Sequence, residues 1–234
     1  MDTAQYSTTA TSVASLSSFY RQVYGKMTFG LFLTAFAAWF TASSPALQQL
    51  VFGSKMTFYV LIFAEIGLVI WLSAALRSLT GTQAMILFTL YSALNGVTLS
   101  VILLAYTGPS IFMTFVVTAS MFGTMSLYGL LTKKDLSSWG SFFFMGLIGV
   151  LIASVVNIFL KSPAVYWVST LIGVMVFTGL AAYDNFKLKL MATAAGEDER
   201  AISAASTAGA LQLYLDFINL FLMLLRILGV GNKK

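Results

Sequence analysis

The stretch TQAMILFTLYSALNGVTLSVILLAYTGPSIFMTFVVTASMFGTMSLYGLLT, Thr82 to Thr132, decides the fold. It holds no charged residue, and none occurs between Arg77 and Lys133. A membrane-spanning helix needs roughly 20 mostly apolar residues, because each adds about 1.5 Å across a hydrocarbon core of about 30 Å. The stretch is too long for one span. The turn signal Tyr106-Thr107-Gly108-Pro109 divides it into segments at 82–105 and 110–131. Backbone groups in lipid must be satisfied by a helix or a closed barrel, and barrel strands alternate apolar with polar residues. These runs do not alternate, so they read as helices.

Working outward, further spans fall at 27–44, ending before Pro45, and at 56–76, closed by Arg77. Others fall at 139–160, 164–186 and 209–228, with a polar stretch from Lys187 to Ala208 before the last. The expectation is an all-α integral membrane protein with seven transmembrane helices over 27–229. A mobile polar tail of 1–26 precedes them, and a short basic tail of 230–234 follows. Composition agrees. A soluble domain carries about 25% charged residues, whereas this chain carries 9%, against 59% hydrophobic. Small residues such as Ala119 with Gly123, or Gly146 with Gly149, would let helices approach closely, although ordinary membrane-helix composition explains any single pair equally well.

The absences narrow the chemistry. Without Cys there is no disulfide, thiolate nucleophile or thiolate metal site. Without His there is no imidazole-ligated zinc and no Ser-His hydrolysis within the chain. The net charge of +5 is scattered over loops, so no nucleic-acid surface is expected. For orientation, Arg21, Lys26, Arg77, Lys133, Lys134, Lys187, Lys189 and Arg200 fall on the amino-terminal side of the membrane. Lys55, Lys161, Arg226, Lys233 and Lys234 fall on the other. The positive-inside rule then places the amino terminus in the cytoplasm and the carboxyl terminus outside.

An ionisable residue inside a span is a functional candidate by default. Glu65, Asp184 and Asp216 qualify, and Arg77 closes the second segment. Asp184 lies near the inner end of segment six, whose helix is expected to extend through Phe186-Lys187-Leu188, and Asp216 lies about 10 Å into segment seven at helical rise, so the two share a depth. Two carboxyls at one poorly hydrated level share a proton and titrate as a unit. That makes them a pH sensor in a chain without histidine, and Arg77 would compete with the proton. Glu65 lies about 18 Å further outward than Arg77. Against this, Asp184 has Lys187 one turn on as a simple ion-pair partner. Asn219 stands three residues from Asp216 and can share its hydrogen bonding. Asn95 and Asn157 suit a polar path or interhelical hydrogen bonds. Asp135 reads as a loop charge or a helix cap, and Glu197-Asp198-Glu199 as a solvated loop.

Four motifs carry a resemblance to a known family. They are Leu-Tyr-Ser-Ala-Leu-Asn-Gly-Val-Thr-Leu-Ser (90–100), Lys-Lys-Asp-Leu-Ser (133–137), Ala-Tyr-Asp-Asn-Phe-Lys-Leu-Lys (182–189) and Leu-Tyr-Leu-Asp-Phe-Ile-Asn-Leu-Phe-Leu-Met-Leu-Leu-Arg-Ile-Leu-Gly (213–229). The chain resembles the Bax inhibitor family, also called transmembrane Bax inhibitor motif proteins, in its bacterial inner-membrane branch. The resemblance implies six helices wrapping a central carboxyl-terminal helix, and a pH-sensitive calcium leak. It implies a di-aspartyl sensor at Asp184 and Asp216, an acidic ion-path residue at Glu65, and a latch at Arg77. The family's basic cluster is reduced here to Arg77, and its polar pair after the segment-six aspartate is replaced by Asn185-Phe186.

The functional expectation is a calcium leak channel or a proton-coupled cation transporter, with Ca²⁺ and protons as the species handled and no cofactor. Glu65, Asp184 and Asp216 would offer Ca²⁺ its preferred oxygen contacts. The alternative is a non-conducting protein that regulates a membrane protease or stress response through a membrane protein partner. An enzyme is not expected: the Gly-x-Gly-Asp arrangement of aspartyl intramembrane proteases is missing before Asp184. Segment seven also offers no Lys for a retinal Schiff base.

Overall fold

The computed structural model describes residues 3–75, 78–196 and 198–232, with side chains from Leu16 onward. Among the described residues there are eight helices and no strand. They are α1 (Thr3–Ser43), α2 (Pro45–Phe52), α3 (Lys55–Ala75), α4 (Gly81–Ala105), α5 (Gly108–Leu131), α6 (Trp139–Leu160), α7 (Pro163–Ala195) and α8 (Glu199–Leu228). Seven are long and apolar enough to cross a membrane, all but α2. The protein is an all-α, multi-pass membrane protein. Its outward faces are apolar: Phe159 is 82% exposed, and Phe32 and Leu131 are each 75% exposed. Apolar surface of this extent has lipid, not water, as its solvent.

The chain divides into two compact units. One comprises Met1–Ala105 with Leu188–Tyr214, the other Tyr106–Lys187 with Leu215–Lys234. In the first unit, α1 packs along α4. Gly96 permits this, because a Cβ there would meet the Thr34 backbone and lie 2.7 Å from the Ala37 Cβ. Phe19, Val23, Phe88, Leu213 and Tyr214 are almost wholly buried. In the second unit, Gly129 on α5 meets the backbone of Ala182 on α7, and Phe217 on α8 meets Phe122 and Phe115 edge to face.

Helix ends follow the local chemistry. Ser44 caps α2, its hydroxyl accepting from the Leu47 N–H, with Pro45 at the first helical position. Lys161 ends α6 in the left-handed region at φ 49°, and Asn157 Oδ1 accepts the following Ser162 N–H at 2.9 Å. Gly196 ends α7 at φ +59°. The residues after α8 fold back on the turn before α5: the Thr107 N–H donates to the Val230 carbonyl at 2.9 Å, and Tyr106 bridges to Gly231.

The helix boundaries differ from the expected spans in three places. The region 1–26, expected as a mobile tail, is helical from Thr3, with Phe19 and Val23 one turn apart and buried. The polar stretch from 187 to 208 is mostly helix: α7 runs on to Ala195, and α8 begins at Glu199. A membrane-length rule counts apolar residues only, whereas Ala, Leu and Lys keep a helix going beyond the lipid. The short helix α2 was not expected. Of the acidic run, Asp198 accepts the Arg200 N–H at 2.9 Å and Glu199 opens α8, while Glu197 lies outside the described residues. Asp135 is a loop residue and does not cap α6, whose cap position is Ser138. It accepts the Ser137 N–H at 2.8 Å, and the Ser137 hydroxyl and N–H hold its carboxyl below the usual carboxylate range.

Candidate functional site

Asp184 on α7 and Asp216 on α8 both belong to the second unit and are brought together there. They are 8% and 5% exposed, and their carboxyl groups lie close enough to interact. A hydrogen bond between two carboxyls requires a proton on one of them. Lys187, one turn after Asp184, sets its positive charge near both groups. Asp216 Oδ2 is buried with no hydrogen-bond partner. An unsatisfied buried oxygen costs about 1–3 kcal/mol, and such groups mark strain or function more than packing.

Asn185 fixes the frame. Wholly buried, it donates from Nδ2 to Ser126 Oγ on α5 at 2.9 Å and to the Ala181 carbonyl at 2.6 Å. Beside it, the bare Gly129 lets α5 and α7 touch backbone to side chain. The residue before it, Asp184, is thereby positioned by a helix held against its neighbour.

Glu65, in the first unit, is 7% exposed on α3 and meets the side chains of Asn95 and Thr98 on α4. Asn95 Oδ1 accepts from the Tyr214 hydroxyl at 3.1 Å, and that hydroxyl bonds to Thr34 Oγ1 on α1 at 2.7 Å. Glu65 Oε1 itself has no partner. A family model described as "Inhibitor of apoptosis-promoting Bax1" matches residues 16–233, taking in every one of these groups. The chain belongs to the Bax inhibitor family. It is 54% identical over 217 residues to the inner membrane protein YbhL of Escherichia coli strain K12, covering 92% of this chain and 93% of the relative. It is 45% identical over 208 residues to protein RP147 of Rickettsia prowazekii, covering 89% and 87%. A membrane protein of Streptococcus pyogenes serotype M1 is 37% identical over 220 residues, covering 93% and 95%.

The other residues singled out in this Bax inhibitor family member have distinct fates. Asn95 joins the Glu65 cluster. Asn157 serves the end of α6, and Asn219 donates to the Leu215 carbonyl one turn back at 2.8 Å instead of joining Asp216. Arg77, the expected latch, lies outside the described residues. Among the described residues no three acidic side chains come together, so Glu65, Asp184 and Asp216 do not form one Ca²⁺ coordination sphere. Sequence reasoning passed over Tyr214, Thr34, Thr98 and Ser126. Tyr214 and Thr98 carried a signal, Tyr214 two residues before Asp216 within the longest family motif and Thr98 three residues after Asn95 within the motif at 90–100.

Proposed function

We propose that this protein is a pH-sensitive Ca²⁺ leak channel, or a proton-coupled cation transporter, of a bacterial inner membrane, gated by Asp184 and Asp216. One observation carries the reading: two buried carboxyls on different helices touch in an apolar setting, with a buried oxygen left unpartnered. With one proton between them, the pair holds α7 and α8 together in their unit. With both ionised, like charges face each other with poor screening, and the helices are driven apart unless Lys187 takes up a carboxylate. Glu65 supplies negative charge to an ion path in its own unit. The inner-membrane setting is supported by the name of the Escherichia coli relative. The charge count favours a cytoplasmic amino terminus. No catalytic step is assigned to any residue.

The test is purified protein in sealed liposomes containing a calcium dye, assayed across the physiological pH range. The parent should pass Ca²⁺ with a pH-dependent rate. Asp184→Asn and Asp216→Asn should each flatten that dependence, because a neutral amide removes the like-charge repulsion. An absence of flux at every pH would sink the channel reading and favour a non-conducting regulator with a membrane protein partner.

A further inference from the structure

Glu65 differs from the aspartate pair in its surroundings. Asn95 and Thr98 from α4 meet its carboxyl, and all the groups that meet it are neutral. The titratable groups that face it are the Tyr91 phenol from α4 and the Tyr214 phenol from α8, while α1 contributes Thr34 to the network, which does not titrate. Among the described residues no Lys or Arg faces it. One oxygen of the cluster, Glu65 Oε1, is buried without a partner. The cluster therefore offers a single carboxyl, able to carry no more than one negative charge, with neutral oxygens beside it and an unpartnered oxygen inside an apolar bundle.

Charge balance then selects the ligand. A buried charge is expensive unless something neutralises it. One carboxylate neutralises one proton or one alkali cation. A divalent cation would leave a net positive charge in a medium that cannot solvate it, and Ca²⁺ normally draws 6–8 oxygens with several carboxylates among them. We propose that Glu65, with Asn95 and Thr98, forms a site for a single positive charge: an alkali cation such as Na⁺, in exchange with a proton. The inference rests on the ion-path reading of Glu65 and refines it. A site that holds Na⁺ or H⁺ at rest holds Ca²⁺ weakly, as conduction requires, since an ion must bind well enough to enter and weakly enough to leave.

The experiment is binding of radiolabelled Na⁺ to the full chain in detergent micelles, with unlabelled Na⁺, K⁺ and Ca²⁺ as competitors at matched ionic strength. The parent should bind saturably at alkaline pH. Affinity should fall about tenfold per pH unit once protons compete for the carboxylate. Ca²⁺ should displace the label no better than Na⁺ does. Glu65→Gln should abolish binding. Asn95→Asp, which adds a second carboxylate, should reverse the preference and make Ca²⁺ the better competitor. If Glu65→Gln does not fold, the parent's pH competition and Asn95→Asp decide. An absence of saturable Na⁺ binding at any pH overturns the proposal, as does binding indifferent to protons, or Ca²⁺ displacing the label at tenfold lower concentration than Na⁺ in the parent. Because the readout is binding and not flux, a protein that binds Na⁺ but passes no Ca²⁺ would lose the channel reading alone. A protein that passes Ca²⁺ but binds no Na⁺ would lose this inference alone.

Discussion

Replacing Gly129 with alanine tests whether the contact between α5 and α7 positions the sensor. A Cβ built on Gly129 lies 2.9 Å from the Ala182 carbonyl carbon and 3.0 Å from the Asn185 Cβ, and closer still to the Ala182 carbonyl oxygen. Carbon atoms pack best at about 3.5–4.0 Å, so the helices must part locally by roughly 0.6 Å or more. The obstacle is backbone, which cannot swing aside as a side chain can. Overpacking of this kind costs about 1–3 kcal/mol. The same displacement stretches the Asn185 to Ser126 hydrogen bond, now 2.9 Å, whose loss costs about 1 kcal/mol. Alanine's higher helix propensity returns up to about 1 kcal/mol. The net expectation for Gly129→Ala is a loss of about 1–3 kcal/mol. Gly123→Ala on the same helix is the control, because nothing lies within 4 Å of a Cβ there, and it should be neutral or slightly stabilising. Thermal unfolding in detergent, followed by tryptophan fluorescence, measures both. The flux assay on the same samples should show an altered pH response for Gly129→Ala alone, since Asp184 sits beside Asn185. If the two variants unfold together and respond to pH alike, α5 and α7 do not hold the sensor in the manner argued.

Asp184→Asn with Asp216→Asn should flatten the pH response no further than either change alone, because the two act as one unit; additive effects in the flux assay would refute the shared proton. Tyr214→Phe removes a buried hydroxyl that bonds to Thr34 and Asn95, so a loss of about 1–3 kcal/mol is expected in thermal unfolding. For Asp135 the sign is that of a depressed carboxyl: its contribution to loop order is full above the ordinary carboxylate range and is lost as pH falls through its own lower value. Amide exchange at Ser137, corrected for intrinsic rate, should therefore quicken on acidification, and Asp135→Asn should erase that dependence. Cysteine introduced at Ser137, in a chain with no native Cys, should react with a membrane-impermeant label only from the cytoplasmic side, and labelling from outside would invert the topology.

The membrane spans were legible because lipid thickness imposes a length that a run of apolar residues either meets or does not. Segment 139–160 coincides with α6, and 82–105 and 110–131 fall within two residues of α4 and α5. What the rule missed lies where that constraint ends. The additional turns of α1, the continuation of α7 to Ala195 and the early start of α8 at Glu199 are mixed in polarity, and only helix propensity and packing against neighbours decide them. The carboxyls were legible for the opposite reason, since a charge inside an apolar run is conspicuous. Their partners were not, because a hydroxyl in a membrane helix usually bonds back to its own chain. Thr114 and Thr118 bond only to the carbonyls four residues earlier, at 2.8 and 2.7 Å. Thr34 makes that same bond to Gly30, and also reaches the Ser92 carbonyl and the Tyr214 hydroxyl. Nothing in the residue type or its immediate apolar neighbours separates the two cases. The difference is set by which helix lies opposite, a property of packing that one sequence expresses only through the rare small residue, such as Gly96, that lets the opposing helix come close.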